Sequence, residues 1–211
     1  MSNTYQVAAV VNGAWKQNCY LLTNEKHELI IIDPGSNAGE IISRINDLDA
    51  TPLAILNTHA HYDHIGAVSA LVQKFSIPFY LHKKDEGLMK QANLYKILFE
   101  SKDSIAIPLF DKDLATEEKI FFIGDFKIEI IHTPGHTPGG VCIVADNNIF
   151  GGDTLMYGGP GSTHLPGGDI REMESSMDTL RQLPGEFLVY PGHGRPFTLN
   201  TFWSKNFASQ S

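Results

Sequence analysis

The sequence predicts an α/β protein in which a sandwich of β-sheets is flanked by helices. Short apolar runs rich in Ile, Val, Leu and Phe have the length and composition of buried strands, and they alternate with segments whose apolar residues recur at helical spacing. Glycine and proline close several of these runs, which indicates loops where rigid strands stop. These three observations require at least one large sheet with helices packed against it.

Each predicted element follows from its own local pattern, in chain order. Strands are predicted at residues 6–11, 18–23, 29–33, 52–57, 79–82, 119–123, 127–132, 141–145, 148–150 and 187–190. Helices are predicted at residues 39–48 and 65–75, as a broken pair over 84–100, at 170–183 and as a short terminal helix at 199–207. The order is strands first, then mixed β and α units, with no repeat and no linker-like stretch. We therefore expect one domain over residues 1–211.

Composition limits the class of partner before any motif is considered. Of the 211 residues, 42% are hydrophobic and 19% are charged, as in an ordinary globular chain, and the formal net charge is −8. Nucleic acid binds basic surfaces, so this charge argues against it as a partner. Residues 1–11 lack a signal-peptide pattern and no apolar run approaches a bilayer span, so we expect a cytoplasmic protein with no membrane partner.

The two cysteines, Cys19 and Cys142, lie in apolar strand-like segments. Neither has the paired spacing of a zinc knuckle or a redox motif. We expect both to be buried, inert thiols of the core, and a reducing compartment argues against a disulfide.

One short loop concentrates side chains that bind metals. Residues 58–64 follow an apolar strand, precede a helix, and read Thr-His-Ala-His-Tyr-Asp-His. His59 and His61 are two residues apart, so in extended backbone both imidazoles point the same way. Asp63 and His64 follow as the chain turns into the helix, so four ligand-type side chains can face one cavity. The alternative is a polar loop whose histidines cap a helix and bind water.

Three later loops favour the metal-binding interpretation. Each places a ligand-type residue beside glycine at the end of a predicted strand, and these residues are His136, Asp153 and His193. With the first loop they make five histidines and two aspartates, more than one four-coordinate ion uses. Such a set suits two divalent ions that share a bridging carboxylate. Imidazole and carboxylate ligands accept zinc, iron or manganese, and we predict two ions, with zinc the first choice.

These motifs resemble the metallo-β-lactamase superfamily, over nearly the whole chain. The stretches at 133–139 and 152–155 look like the glyoxalase II (hydroxyacylglutathione hydrolase) group, in particular its short single-domain members without the helical carboxy-terminal domain. The resemblance implies a four-layer αβ/βα sandwich, with two mixed β-sheets flanked by helices and the site at one edge. The matching positions, in the family's order, are Asp33, the HxHxDH motif at 59–64, His136, Asp153 and His193.

The resemblance also implies a role for each of these residues. It makes Asp33 a residue that orients a ligand histidine, the alternative being a turn aspartate before Pro-Gly. The ligand sets it implies are His59, His61 and His136 for the first ion, and Asp63, His64 and His193 for the second, with Asp153 bridging them.

The sequence departs from the group's usual pattern in two places. Relatives often carry Arg and Asp after the bridging motif, whereas this chain has Ser162 and His164, which predicts a different pocket. The chain also ends soon after Phe207, so we expect it to lack the basic segment that grips glutathione in the full-length enzymes.

The motifs and the resemblance together predict a metal-dependent hydrolase, of the hydroxyacylglutathione hydrolase type, that acts on a small acyl-thioester. A metal-bridging hydroxide would attack the carbonyl, with Asp63 as the catalytic residue that orients it. A thiol has an ordinary pKa of about 8.5, so a thiolate leaves with little protonation, whereas an amine requires a general acid. No such acid is evident in the motifs, which favours a thioester over an amide.

Other functions of the same motifs stay open. A persulfide dioxygenase looks alike but uses a single iron, and a lactonase or other ester hydrolase shares the fold, as does a β-lactamase. A nuclease of this fold is disfavoured by the negative charge. A non-catalytic module would use its metals only for stability, yet a shared two-metal cluster is typically built around an exchangeable water.

Substrate contacts are predicted in three segments. Tyr157 lies in a glycine-rich loop after the bridging motif, which is either a pocket wall or a plain connector, and His164 lies in the loop that departs from the family. The insertion at 83–113 is expected to border the pocket, with Lys84 as a candidate for a substrate carboxylate. Its other candidates, for which a solvated helix face is the alternative, are Lys83, Lys90, Tyr95 and Lys96.

Three histidines lie outside the motifs. His27 is interpreted as a turn residue and His82 as a strand end, both without a catalytic role. His132 is interpreted as a residue of the core or one that contacts a ligand histidine.

Overall fold

The computed structural model describes residues 5–100, 103–109, 111–116 and 119–207. The strands within these ranges are β1 (Gln6–Asn12), β2 (Gln17–Thr23), β3 (Glu28–Ile32), β4 (Thr51–Leu56), β5 (Phe79–Leu81), β6 (Lys112–Asp113), β7 (Ile120–Ile123), β8 (Phe126–His132), β9 (Val141–Ala145), β10 (Asn148–Gly152), β11 (Leu155–Met156), β12 (Gly159–Pro160), β13 (Leu188–Pro191) and β14 (Phe197–Thr198). The helices are α1 (Ala38–Asp47), α2 (Tyr62–Ile65), α3 (Val68–Phe75), α4 (Glu86–Lys90), α5 (Ala92–Phe99), α6 (Ile170–Leu180) and α7 (Leu199–Phe207), with a 3-10 helix at Lys83–Asp85.

The described strands form two six-stranded sheets and one short ribbon of β11 and β12. The first sheet has the order β1-β2-β3-β4-β5-β6, antiparallel through β3 and parallel from β3 to β6. The second has the order β14-β13-β10-β9-β8-β7, and its pairs are antiparallel except for the parallel pair of β10 with β13. Both sheets are therefore mixed.

The alternation of side chains along β2 shows how the layers are built. Tyr20 and Leu22 pack in the core between the two sheets, with Phe126 and Ile143 from the second sheet. Cys19 and Leu21 point to the opposite face of the first sheet. Because both faces are covered, the strand is buried along nearly its whole length.

Helices cover the outer face of each sheet. On the first sheet, Ile41 of α1 and Leu71 of α3 pack in a cluster with strand residues such as Ile31. On the second sheet, Met177 of α6 and Phe202 of α7 do the same. The layers are therefore helices, sheet, sheet, helices, which confirms the four-layer αβ/βα sandwich expected from the sequence.

Every strand predicted from the sequence is present, with ends within two residues of those expected. Four strands were not predicted, namely β6, β11, β12 and β14, because two residues are too few to show an alternating pattern.

The prediction of one continuous helix over residues 65–75 was wrong. The chain breaks between α2 and α3, where the Ala67 amide donates to the Pro34 carbonyl at 3.0 Å rather than continuing the first helix. Gly66 lies at the break, and a Cβ there would collide with the Gly35 carbonyl oxygen. A tertiary contact with the loop after β3 therefore overrides the helical pattern.

Both cysteines are free and fully buried, as expected. Burial raises the pKa of Cys142 to about 12 and that of Cys19 well above its usual value, so the thiols are unreactive.

None of the helices in the described ranges combines the length and apolarity needed to cross a membrane. The prediction of one domain over residues 1–211 includes residues outside the described ranges, so it stays a prediction.

Candidate metal centre

The seven predicted ligand residues come together at one edge of the sandwich. His59 and His61 follow the end of β4, and Asp63 and His64 lie on the short helix α2. The other three follow the ends of strands in the second sheet, with His136 after β8, Asp153 after β10 and His193 after β13. Both sheets therefore contribute to the cluster, each through loops at the carboxyl ends of its strands.

Three histidines form the first ligand set. His61 Nδ1 lies 3.2 Å from His59 Nε2 and 3.0 Å from His136 Nε2. Ligand atoms around a tetrahedral zinc ion, with bonds of about 2.0 to 2.1 Å, are roughly 3.3 Å apart. The three nitrogens are therefore spaced to hold one ion.

Asp63, His64 and His193 form the second ligand set. Asp63 Oδ2 lies 3.3 Å from His193 Nε2 and 3.7 Å from His64 Nε2. The three atoms converge as those of the first set do, with one carboxylate in place of an imidazole. A second ion of the same kind fits here.

Asp153 lies between the two sets. Its Oδ2 is 3.5 Å from His136 Nε2 in the first set and 3.7 Å from His193 Nε2 in the second. Its Oδ1 is 3.5 Å from His64 Nε2, also in the second set. This is the position that a bridging carboxylate requires.

Two buried atoms indicate that the cluster fits a cation. His64 Nε2 and Asp153 Oδ1 are buried and have no hydrogen-bond partner within the described part of the chain. An unsatisfied buried polar atom costs about 1 to 3 kcal/mol. A divalent ion would satisfy both at once, and the imidazole and carboxylate donors are those that zinc and iron accept.

Asp33 contacts the back of the cluster. Its carboxylate accepts hydrogen bonds from the Thr58 amide at 2.7 Å and the Thr58 hydroxyl at 2.6 Å, and it contacts His64 Nδ1 at 3.0 Å. Thr58 Oγ1 in turn lies 3.0 Å from His59 Nδ1. Asp33 therefore braces one histidine from each ligand set, which are the contacts of an orienting residue.

The remaining ligand histidines are anchored in a similar way. His136 Nδ1 donates to the Ser162 carbonyl at 2.7 Å, and His193 Nδ1 donates to the Trp15 carbonyl at 2.9 Å. A carbonyl accepts only, so each outer nitrogen carries the proton. The inner nitrogen then faces the cluster with a free lone pair, as a metal ligand must.

The charges of the cluster suit a bound cation. Burial would lower the pKa of His64, but the carboxylates of Asp63, Asp153 and Asp33 outweigh it and raise this pKa to about 10. Burial would raise the pKa of Asp63, but His64 and His193 hold it well below its usual value. Burial, together with His136, lowers the pKa of His61 to about 4. The Asp63 carboxylate thus stays ionised, and the raised pKa of His64 shows that the cluster already favours a positive charge.

One buried carboxylate that supports the site was missed in the sequence. Asp85 is fully buried and accepts hydrogen bonds from the Ala60 amide at 3.0 Å, the Thr137 hydroxyl at 2.8 Å and the Gly139 amide at 2.5 Å. It therefore ties the first histidine loop to the loop that bears His136. No signal marked it, because an aspartate in a Lys-Lys-Asp-Glu run has the pattern of a solvated helix face.

A cavity of about 270 Å³ opens beside the cluster, and Tyr95 of the insertion lines it, as does Ser162. The other predicted substrate contacts lie elsewhere, and none is among the described residues of its wall. Lys84 and His164 are exposed, and the Tyr157 hydroxyl accepts a hydrogen bond from Arg195 Nη2 at 2.7 Å. Contact of these three residues with substrate stays a prediction.

The interpretation of His132 as a core or ligand-contacting residue was wrong. His132 is exposed, and its ring stacks on that of His82 with the centroids 4.3 Å apart. His132 shares the strand face of the buried Ile128 and Ile130, but it is the last residue of β8, and at that strand end the core no longer covers it.

The fold and the cluster together define a class, an αβ/βα sandwich with a histidine and aspartate metal centre at its edge. The chain belongs to the metallo-beta-lactamase superfamily, whose family model matches residues 12–193. It is accordingly a metallo-hydrolase, as predicted, with histidine and aspartate groups for binding metal.

Several relatives cover most of the chain. Hydroxyacylglutathione hydrolase GloC of Haemophilus influenzae is 35% identical over 194 residues, which are 88% of this chain and 89% of that protein. Among solved structures, the BLEG-1 B3 metallo-beta-lactamase superimposes with a TM-score of 0.90 at 35% identity, covering 98% of this chain and 100% of that one. TTHA1623, solved in a di-iron-bound form, has a TM-score of 0.86 at 35% identity, and the match covers 95% of this chain and 99% of that one.

Proposed function

We propose that this metallo-hydrolase cleaves small acyl-thioesters at a two-metal site. The observation that carries the proposal is the pair of ligand sets joined by Asp153 and open to one cavity. His59, His61 and His136 would hold one ion, and Asp63, His64 and His193 the other. Zinc is the first choice of metal, and the di-iron form of TTHA1623 makes iron the alternative.

The side chains of the site have distinct tasks in this reaction. Two ions bound here would supply Lewis-acid chemistry, since divalent ions acidify water and polarise a carbonyl. Asp63 is ionised and lies at the cavity wall, so its carboxylate accepts a hydrogen bond from the attacking water and orients it. The Asp33 and Asp85 carboxylates hold the ligand loops in place from behind.

A thioester suits the acid–base groups of the cavity. Apart from the cluster itself, the described wall has two phenols, Tyr62 and Tyr95, and the Tyr95 hydroxyl already donates to Gln91 Oε1. Burial, assisted by the charge of Asp63, raises the pKa of Tyr62 to about 12, which makes it a weak general acid. A thiolate leaves without a strong acid, whereas an amine does not. The hydroxyacylglutathione hydrolase activity named for the GloC relative is of this class.

The proposal is tested by replacing Asp63 with Asn. We expect kcat on S-lactoylglutathione and on simple acyl-thioesters to fall by about a hundredfold or more, because the water loses its orienting carboxylate. The matched control is Asp47→Asn on the exposed end of α1, which should keep full activity. Circular dichroism checks the fold of both variants. Unchanged turnover in Asp63→Asn would remove the proposed role of this residue.

Two alternative activities should be measured alongside thioester hydrolysis. The likeness to a B3 metallo-beta-lactamase favours testing a β-lactam, whose amide is strained and cyclic. A persulfide dioxygenase would contain about one iron and consume oxygen in the presence of a persulfide. A metal content of about two ions per chain, together with thioester turnover, supports our proposal. A content of about one iron, with persulfide-dependent oxygen uptake and no thioester turnover, contradicts it. A small-molecule substrate and a cytoplasmic location are part of the same proposal.

A further inference from the structure

The cavity beside the metal centre has two chemically different walls. One wall is the cluster itself, represented by His61, Asp63, Asp153 and His193. The other wall is largely apolar and is formed by Trp15, Tyr62, Tyr95, Phe99, Leu165 and Pro166. We call this second wall the apolar cleft. A molecule whose reacting group meets the cluster must therefore place its neighbouring atoms against the cleft.

The apolar cleft is assembled from segments far apart in the sequence. Trp15 lies in the turn between β1 and β2, and Leu165 lies in the loop before α6. Tyr95 and Phe99 are four residues apart on α5, so they share one face of that helix. With Tyr62 on α2, four separate segments thus converge on the same side of the metal centre.

Two of the large side chains are left partly uncovered. Trp15 is 51% exposed and Phe99 is 49% exposed. Exposed aromatic surface at the wall of a cavity is surface that a bound apolar group would remove from water, with a favourable free energy. Trp15 and Phe99 therefore offer exposed aromatic surface against which an apolar ligand can pack.

The polar atoms of the cleft are already paired within the protein. Trp15 Nε1 donates to the Tyr62 hydroxyl at 2.7 Å, and the Tyr95 hydroxyl donates to Gln91 Oε1 at 2.8 Å. What these rings leave for a ligand is therefore chiefly their apolar surface.

The lysine that lies over the Tyr62 ring is also paired. Lys96 Nζ lies 5.7 Å from the centre of the Tyr62 ring and forms an ion pair with Glu100. Its charge is therefore largely compensated and does not make the cleft a carboxylate site.

We propose that the apolar cleft selects substrates with an apolar acyl group, aromatic or alkyl, next to the scissile carbonyl. The inference rests on the proposed thioester hydrolysis and adds the class of acyl group to it. A small hydroxylated acyl group would leave Trp15 and Phe99 in water. Each methylene that the cleft buries should improve binding about threefold to fourfold, until the cleft is filled.

The first experiment measures kcat/KM for a series of acyl-thioesters of N-acetylcysteamine, from acetyl to butyryl, hexanoyl and phenylacetyl. We expect kcat/KM to rise along the series in the native enzyme. Phe99→Ala should flatten the rise, because it removes a large part of the wall at the exposed end of α5. The matched control is Leu98→Ala, since Leu98 is 64% exposed on the same helix and is not part of the wall.

The second experiment measures binding without turnover. Calorimetry gives the dissociation constants of the corresponding carboxylates, acetate to hexanoate and phenylacetate, for the metal-loaded protein and both variants. Tighter binding of the larger acids, lost in Phe99→Ala and kept in Leu98→Ala, supports the cleft even if no thioester is cleaved, in which case only the proposed function fails. Thioester turnover with no preference in either series would overturn the cleft and leave the hydrolase intact. An equal effect of both variants would also overturn it.

Discussion

At the scale of single residues, Asp33 shows how a side chain outside the ligand set can control it. Its backbone lies in the left-handed region, with φ of +50°, which few residues other than glycine, asparagine and aspartate adopt. Its carboxylate reaches His64 directly and His59 through Thr58. One carboxylate is therefore linked to a histidine of each candidate ligand set.

We expect Asp33→Asn to weaken metal binding about tenfold to a hundredfold, the usual effect of losing a residue that orients a ligand. Asparagine tolerates the same left-handed backbone, so the change tests the carboxylate alone. Competition with a chromogenic chelator measures the affinity. Asp146→Asn is the matched control, because Asp146 is also left-handed, with φ of +54°, and is exposed in the turn after β9. Equal losses in both variants would contradict the role of Asp33.

The stacked pair of His82 and His132 makes stability depend on pH. Burial, followed by the charge of His132, lowers the pKa of His82 to about 4 in the folded protein, although Asp113 opposes this. The unfolded chain has a histidine pKa of about 6.5. As the pH falls from 6.5 towards 4, the unfolded state binds a proton that the folded state does not. The free energy of unfolding therefore decreases over this range.

We expect His82→Asn to reduce this acid sensitivity by about 1 kcal/mol between pH 7.5 and 5, a value discounted for partial solvation of the ring. In the native chain His82 Nδ1 accepts a hydrogen bond from the Lys84 amide at 3.3 Å. Asparagine keeps an acceptor for this amide. Urea unfolding of the metal-free protein at both pH values gives the comparison. If the native chain and the variant lose the same stability on acidification, His82 does not titrate as described.

At the scale of elements, β4 of the first sheet and β8, β10 and β13 of the second end at one edge, and the loops that follow them carry the candidate metal site. Helix α6 shows how an element positions such a loop. Its N-cap residue, Asp169, accepts hydrogen bonds from the Arg171 amide at 2.8 Å and the Glu172 amide at 3.1 Å. The Asp169 amide in turn donates to the Gly135 carbonyl, next to His136. The start of the helix is thereby linked to a ligand loop.

Replacing Asp169 with Ala should lower the free energy of unfolding by about 1 kcal/mol, since two amides of the first turn lose their acceptor. The backbone bond to Gly135 is retained, so we expect the metal content to change little. Urea unfolding measures the loss. Asp178→Ala, at an exposed interior position of the same helix, should cost nothing, because alanine is the better helix former. A comparable loss there would argue against capping.

At the scale of the whole molecule, the metal centre joins the two halves of the sandwich. The loop after β4 and helix α2 belong to the first sheet, whereas His136, Asp153 and His193 follow strands of the second. Each ligand set contains residues from both halves. An ion bound here would therefore cross-link the sheets as well as serve the proposed reaction.

Removal of metal should consequently destabilise the folded protein. A ligand present at a thousand times its dissociation constant stabilises by about 4 kcal/mol, which corresponds to a Tm shift of roughly 10 °C in a chain of this size. Scanning calorimetry before and after chelation measures the shift, and re-addition of zinc should restore the higher Tm. Equal Tm values for the loaded and stripped protein would show that the ions do not link the halves.

Much of the fold followed from local patterns. Short apolar runs and the glycine and proline residues at strand ends placed the strands, and the close spacing of His59 and His61 marked the site. The continuous helix at 65–75 failed because a contact with Pro34 interrupts it. The core interpretation of His132 failed because the core ends before the last residue of β8.

The sequence by itself determined which chemistry the protein carries, since imidazoles and carboxylates at strand ends bind metal ions wherever such loops meet. The tertiary structure alone decided which side chains surround that chemistry. Asp85 became a buried brace, and Trp15 and Phe99 became the walls of a cleft, although neither role is visible in their neighbours along the chain. The physical reason is that periodicity and turns are properties of adjacent residues, whereas burial and cavity shape arise only when distant segments pack together.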